Sequence, residues 1–108
     1  MIEAPVVEAV LLPVRAGQHA QFEEAFAQAE PLIARAPGYR GHELRRSVDR
    51  PSTYLLIVGW ETVDDHETGF RGSEDYIEWS RLLHRFYDPF PTVHHYGENL
   101  AGARIELP

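Results

Sequence analysis

Between Trp60 and Ser73 the chain reads WETVDDHETGFRGS. One histidine, His66, sits among the acidic residues Glu61, Asp64, Asp65 and Glu67, behind a tryptophan that ends an apolar run. If Thr62 caps a helix, then Val63, His66 or Glu67, and Phe70 fall on its inward side, and the imidazole meets a sheet instead of water. Burial and a helix N-terminus both disfavour the imidazolium, which leaves a neutral ring able to accept a proton. Trp60 lies next to that ring in either case. The same residues also admit a plainer arrangement, in which a buried histidine is satisfied by a backbone carbonyl.

Around the second helical segment, Trp60, Tyr76, Trp79, Phe86, Tyr87 and Phe90 form an aromatic set. Such a stripe serves either as core or as a flat pocket for an aromatic ligand, with Trp and Tyr offering polar tips. His95 and Tyr96 on the last strand point to opposite faces, so at most one of them shares a pocket with Trp60.

Other chemistries find no support. His94 and His95 are adjacent on a strand and cannot share one ion, and His42, His66 and His84 lack partners at helical ligand spacing, so no metal site is expected. Ser47, Ser52, Ser73 and Ser80 sit in no nucleophile-elbow context, and Gly69-x-x-Gly72 is too weak for a phosphate loop. Cysteine is absent, and all ten basic residues are arginine, which removes thiolate and lysine chemistry together. A net charge of −7 argues against binding nucleic acid. Arg35, Arg40, Arg45, Arg46 and Arg50 nevertheless cluster, either guarding an edge strand or attracting an anion.

The elements that must position these residues follow from periodicity. Val6 to Val14 is a β-rich run, and Phe22, Phe26, Ala29, Ile33 and Ala36 define one amphipathic helix that Pro31 should bend. Tyr39 to Val48 and Thr53 to Glu61 read as a hairpin around Asp49 to Ser52. Thr62 starts a short helix broken at Gly69 to Gly72; Ser73-Glu74-Asp75 starts another, which Asp88-Pro89 stops. Thr92 to Glu98 reads as the last strand. Residues 1–99 thus form one domain and 100–108 a tail, whose Ala103, Ile105 and Leu107 alternate as an added edge strand would.

The order β-α-β-β-α-β predicts a ferredoxin-like α+β sandwich, a four-stranded antiparallel sheet with both helices on one face. Both faces of Tyr54 to Val58 and of Ala9 to Leu12 are apolar, and the helices cover only one of them. The other face predicts a homodimer packed sheet on sheet. No run approaches the roughly 18 apolar residues of a membrane span, and the first residues lack a leader pattern, so a cytoplasmic protein is expected.

The chain resembles the antibiotic biosynthesis monooxygenase (ABM) family over roughly Val6 to Glu98. The resemblance is carried by Phe22 and Phe26, Pro37-Gly38-Tyr39, the run from Leu55 through Trp60-Glu61-Thr62, then His66, Gly69-Phe70, Ser73, Tyr76, Trp79 and His95-Tyr96. It implies a dimeric α+β barrel and a cofactor-independent monooxygenase that oxidises a small phenolic, quinol or polyketide-like substrate with dioxygen. In that chemistry a base or hydrogen bond favours the electron-rich phenolate, which reduces dioxygen, and a peroxide collapses to a quinone. The resemblance casts His66 as base or hydrogen-bond partner and Trp60 as wall or polariser, with Phe70, Tyr76, Trp79 and His95 binding substrate. The family's haem-degrading branch needs a first-strand asparagine, a tryptophan ending the third strand and a late histidine. Only Trp60 meets that pattern, since Val10 and Trp79 or Ser80 stand at the other two places. The alternative function is a non-catalytic dimeric module, small-molecule-binding or stress-responsive, that holds an apolar ligand in the same pocket.

Overall fold

A computed structural model describes residues 2–102. Strand β1 (Val6–Pro13) sends Glu8, Val10 and Leu12 to one side and Ala9 and Leu11 to the other, the two-residue period of an extended chain. Helix α1 (His19–Ala34) buries Phe22, Phe26, Ala29 and Ile33 along one stripe and continues through Pro31, which is exposed. Strand β2 (Tyr39–Arg46) ends earlier than its alternation suggests. Ser47 Oγ accepts from the amides of Asp49 and Arg50 at 3.2 and 2.9 Å, and so starts the turn before Val48 can join the strand.

Strand β3 (Thr53–Trp60) is the central apolar strand, with Tyr54, Leu56, Val58 and Trp60 all buried. Thr62 Oγ1 accepts from the Asp65 amide at 3.0 Å, and residues Asp65–Phe70 then wind as a single π-helical turn. His66 and Phe70 point inward as their spacing predicts. Val63 does not: it lies in the helical residues that lead into the π turn and remains 38% exposed. Helix α2 (Glu74–Leu83) begins where Ser73 Oγ accepts from the Tyr76 amide at 3.2 Å, with Glu74 and Asp75 in the first turn, where the helix dipole favours them. Arg35 clasps Asp75 with two hydrogen bonds of 2.7 and 2.6 Å, tying the end of α1 to the start of α2. A 3₁₀ turn at His84–Phe86 follows, and β4 (Val93–Tyr96) is shorter than the expected Thr92 to Glu98.

The sheet order is β2-β3-β1-β4, antiparallel throughout, so β1 and β3 are interior strands. This is the ferredoxin-like α+β sandwich with its helices on one face. Arg40, Arg45 and Arg46 lie on β2, an edge strand, in keeping with charge that blunts edge-to-edge pairing. The core fills the space between sheet and helices; Trp60, Tyr54, Phe22, Ile33, Leu83 and Val58 are its largest fully enclosed side chains. On the opposite face Leu11 is 56% and Tyr96 60% exposed, beside Ala9 and Leu55. The added edge strand at Ala103, Ile105 and Leu107 falls outside the described residues. Among those residues no helix is long and apolar enough to cross a membrane.

Candidate active site

Glu8 sits on interior strand β1, on the same face as Val10 and Leu12, and is only 5% exposed. A carboxyl group placed there needs donors. The indole Nε1–H of Trp60 donates to its Oε1 at 3.0 Å, and His66 Nε2 lies 3.4 Å from the same oxygen. His66 Nδ1 is 2.8 Å from His95 Nε2, and His95 Nδ1 is 3.7 Å from Glu67 Oε1 at the surface. With Glu8 ionised, the hydrogen-bond network assigns the His66 proton to Nε2, facing Glu8, and leaves Nδ1 to accept from His95.

His66 also stacks on Trp60, with ring centroids 5.4 Å apart and planes 18° from parallel. Burial is the main force on its proton affinity. It drives the imidazole pKa down to about 3, helped by the charge of Arg71 and by His95, so the ring is neutral at ordinary pH. The Glu8–His66 contact is therefore a polar contact of a neutral ring with the carboxyl group, and not an ion pair. Burial pushes the Glu8 carboxyl up from its usual value, while the Trp60 N–H and the Arg71 charge pull it back. The same forces lower the pKa of His84, burial first and Arg71 second.

These groups border a cavity of about 100 Å³ between the sheet and the helical layer. Its polar lining is Glu8, His66, Arg71, Tyr76 and His84; the rest includes Val10, Leu56, Phe70, Trp79 and Phe90. Of the residues singled out by sequence, His66, Phe70, Tyr76 and Trp79 reach the cavity. Trp60 and His95 do not: they stand behind Glu8 and His66 and hold them. The aromatic set divides as well, with Tyr76, Trp79, Tyr87 and Phe90 on the cavity and Trp60 and Phe86 in the core. The backbone carbonyl expected as the plainer partner of His66 is replaced by two side chains.

Sequence reasoning missed Glu8, Arg71 and His84. For Glu8 the signal was present, because its position in VVEAVLLP shares the parity of Val10 and Leu12 and so faces the helices. Among the described residues no group of three or more His, Cys, Asp or Glu side chains is arranged to hold a metal ion.

A four-stranded antiparallel sheet with helices on one face, enclosing a small cavity between the layers, defines a ferredoxin-like α+β domain. The sequence profile of the antibiotic biosynthesis monooxygenase family matches residues 5–82, and the chain belongs to that family. It is 50% identical over 91 residues to the Bacillus subtilis protein YczJ, covering 84% of this chain and 96% of that one. A crystal structure of an antibiotic biosynthesis monooxygenase family protein from Bordetella bronchiseptica is similar with a TM-score of 0.84 and 42% identity, over 88% of this chain and 97% of that one. SnoaB, a cofactor-independent oxygenase from Streptomyces nogalater, is similar with a TM-score of 0.66 and 27% identity, over 97% and 99% of the two chains.

Proposed function

We propose that the protein is a cofactor-independent monooxygenase that oxidises a single-ring phenol or quinol with dioxygen. The observation that carries the proposal is a buried, hydrogen-bonded carboxylate and neutral imidazole at the wall of an otherwise largely apolar cavity. A proton acceptor in such a place favours the phenolate, the form that gives electrons to dioxygen. Family membership and the likeness to SnoaB support the same reaction class.

The phenol supplies every electron required. A ring carbon that bears hydrogen, para or, in a quinol, ortho to the hydroxyl, binds one oxygen of dioxygen, and the resulting peroxide loses water as that C–H becomes C=O. One oxygen enters the quinone and the other leaves as water. Within this scheme His66 packs against Glu8 Oε1 at 3.4 Å, and Trp60 donates to the same carboxyl oxygen from the neighbouring strand. Phe70, Tyr76 and Trp79 form the walls against which the ring packs.

Cavity size selects the substrate class. A cavity of roughly 150 Å³ holds one benzene, whereas pockets for larger ligands run from about 300 Å³ upward. At about 100 Å³ the present one suits a single ring better than a fused polyketide. Haem is far larger than this space, and Trp79 and Ser80 stand where that branch places its histidine.

The apolar outer face of the sheet, with Leu11 and Tyr96 exposed, supports a homodimer packed through it. Oxygen uptake with a panel of hydroquinones and hydroxyanthrones, without added metal or flavin, tests the activity. Protein-dependent uptake with single-ring members is expected; none across the panel would sink the oxygenase reading.

A further inference from the structure

We propose that Glu8 is the residue that takes the phenolic proton and that Arg71 holds the oxyanion this leaves; the proposal rests on the oxygenase reading of the same cavity. His66 is poorly placed to be the base, because both of its ring nitrogens are engaged, Nδ1 with His95 at 2.8 Å and Nε2 with Glu8 at 3.4 Å. Glu8 differs. Both of its contacts, from Trp60 and from His66, fall on Oε1, which leaves Oε2 without a protein donor among the described residues. Nor is Oε2 sealed. The enclosed side-chain polar atoms that lack a partner there are His19 Nδ1 and Ser80 Oγ, so the second oxygen of Glu8 is not fully enclosed, and Glu8 is a lining residue of the cavity.

Arg71 lines the same cavity and makes no ion pair with a carboxylate of the described residues, although its charge acts on Glu8, His66 and His84. The step balances with no outside reagent. The phenol O–H bond breaks, the proton goes to Oε2, and the electron pair stays on the phenolic oxygen. One negative charge thus moves from Glu8 to the substrate within the field of one guanidinium, so the site's net charge is unchanged and little new desolvation accompanies transfer. When the peroxide forms, the protonated Glu8 returns its proton to the departing oxygen. Trp60, His66 and His95 are positioning residues in this scheme.

Two measurements test the assignment, and only one depends on turnover. In the first, 4-nitrophenol is bound just below its free pKa in weakly buffered solution, with dye colour and released protons recorded together. Wild type should bind the dye as its coloured phenolate without releasing a proton, because Glu8 keeps it. Glu8→Gln should bind coloured dye with release of one proton for each dye that was protonated in solution, and Arg71→Gln should bind it colourless. Colourless dye on wild type, no binding to wild type, or equal proton release from wild type and Glu8→Gln overturns the proposal. The second follows oxygen uptake against pH with a phenol that turns over. The groups facing Glu8 are Trp60 from β3, His66 and Arg71 from the segment before α2, His95 from β4, and Tyr76, His84 and Tyr87 from α2 and beyond. Glu8→Gln should lower kcat by about 10²-fold or more and remove the acid limb, while His66→Gln keeps a displaced limb. A limb that vanishes in His66→Gln but survives in Glu8→Gln overturns the assignment. If no phenol supports uptake, the oxygenase reading fails while the dye result still decides the role of Glu8.

Discussion

The indole N–H of Trp60 donates to Oε1 of Glu8 at 3.0 Å, and the imidazole of His66 lies flat against the same indole. Trp60 therefore acts on the pocket without touching it: one edge of its ring holds the carboxylate and one face holds the histidine. The donor would be stranded if its acceptor were removed. Glu8→Ala should destabilise the fold by about 1–3 kcal/mol, the range for leaving a buried polar group unpaired, whereas Glu8→Gln, which keeps an acceptor oxygen, should lose less. Urea denaturation of the two variants checks the order, and equal losses would contradict it.

Acid should weaken the fold through His66. Its pKa falls from 6.5 to about 3 on folding, so the unfolded chain takes up a proton that the folded one refuses. The stability it contributes is present above pH 6.5 and is lost as pH falls from there toward about 3. Glu8 has the opposite sign, since its folded pKa is raised, so its burial weighs on the fold only where it is ionised and eases as pH falls. Between pH 7 and 5 wild type should lose on the order of 1–2 kcal/mol more than His66→Gln does. Denaturation curves at the two pH values decide, and parallel losses in both proteins would refute the linkage.

Ser73 holds the start of α2, and with it Tyr76 and Trp79. Ser73→Ala should remove about 1 kcal/mol of stability, which thermal melting would register as a lower Tm.

Phe90 borders the cavity while remaining 63% exposed, so shortening it should widen the mouth with little loss of stability. Phe90→Ala is expected to bind two-ring naphthols that wild type excludes. Calorimetric titration showing the same size limit in both proteins would place the restriction elsewhere.

The outer sheet face offers a direct test of assembly. Wild type should sediment as a dimer at micromolar concentration, and Leu11→Glu, which sets a charge in the middle of that face, should sediment as a monomer. A monomeric wild type would remove the proposed interface.

Much of this architecture was legible because burial writes a period into the chain. Val10 and Leu12 alternate with Ala9 and Leu11, Phe22 and Phe26 recur at helical spacing, and His66 and Phe70 lie four apart on one inward side. Thr62 and Ser73 announced their turns through side chains that satisfy amide groups. What could not be read was depth. Trp60 was cast as a wall and His95 as a substrate contact, yet both stand outside the lining, because whether a side chain lines a cavity or stands behind it depends on packing between strands distant in sequence. Glu8 was passed over because an acidic residue in an apolar strand reads as the solvent side unless its parity with Val10 and Leu12 is followed. The register sets it opposite Val58 and His95, with Trp60 two residues along. Val63 erred in the other direction, since apolar character alone does not carry a residue inside, and Val63, although helical, stays 38% exposed.

The carboxylate belongs to β1, which is hydrogen-bonded to a neighbour on both sides, whereas Arg71, Tyr76, Trp79 and Phe90 come from the opposite layer and the loops that join it. The group proposed to take the proton thus has the rigidity of the sheet, and much of the space before it is shaped by side chains that can be exchanged without disturbing a single ladder bond. Directed evolution for new substrates should accordingly accumulate its changes on the helical side and leave the strands untouched. The fold separates what is done from whom it is done to.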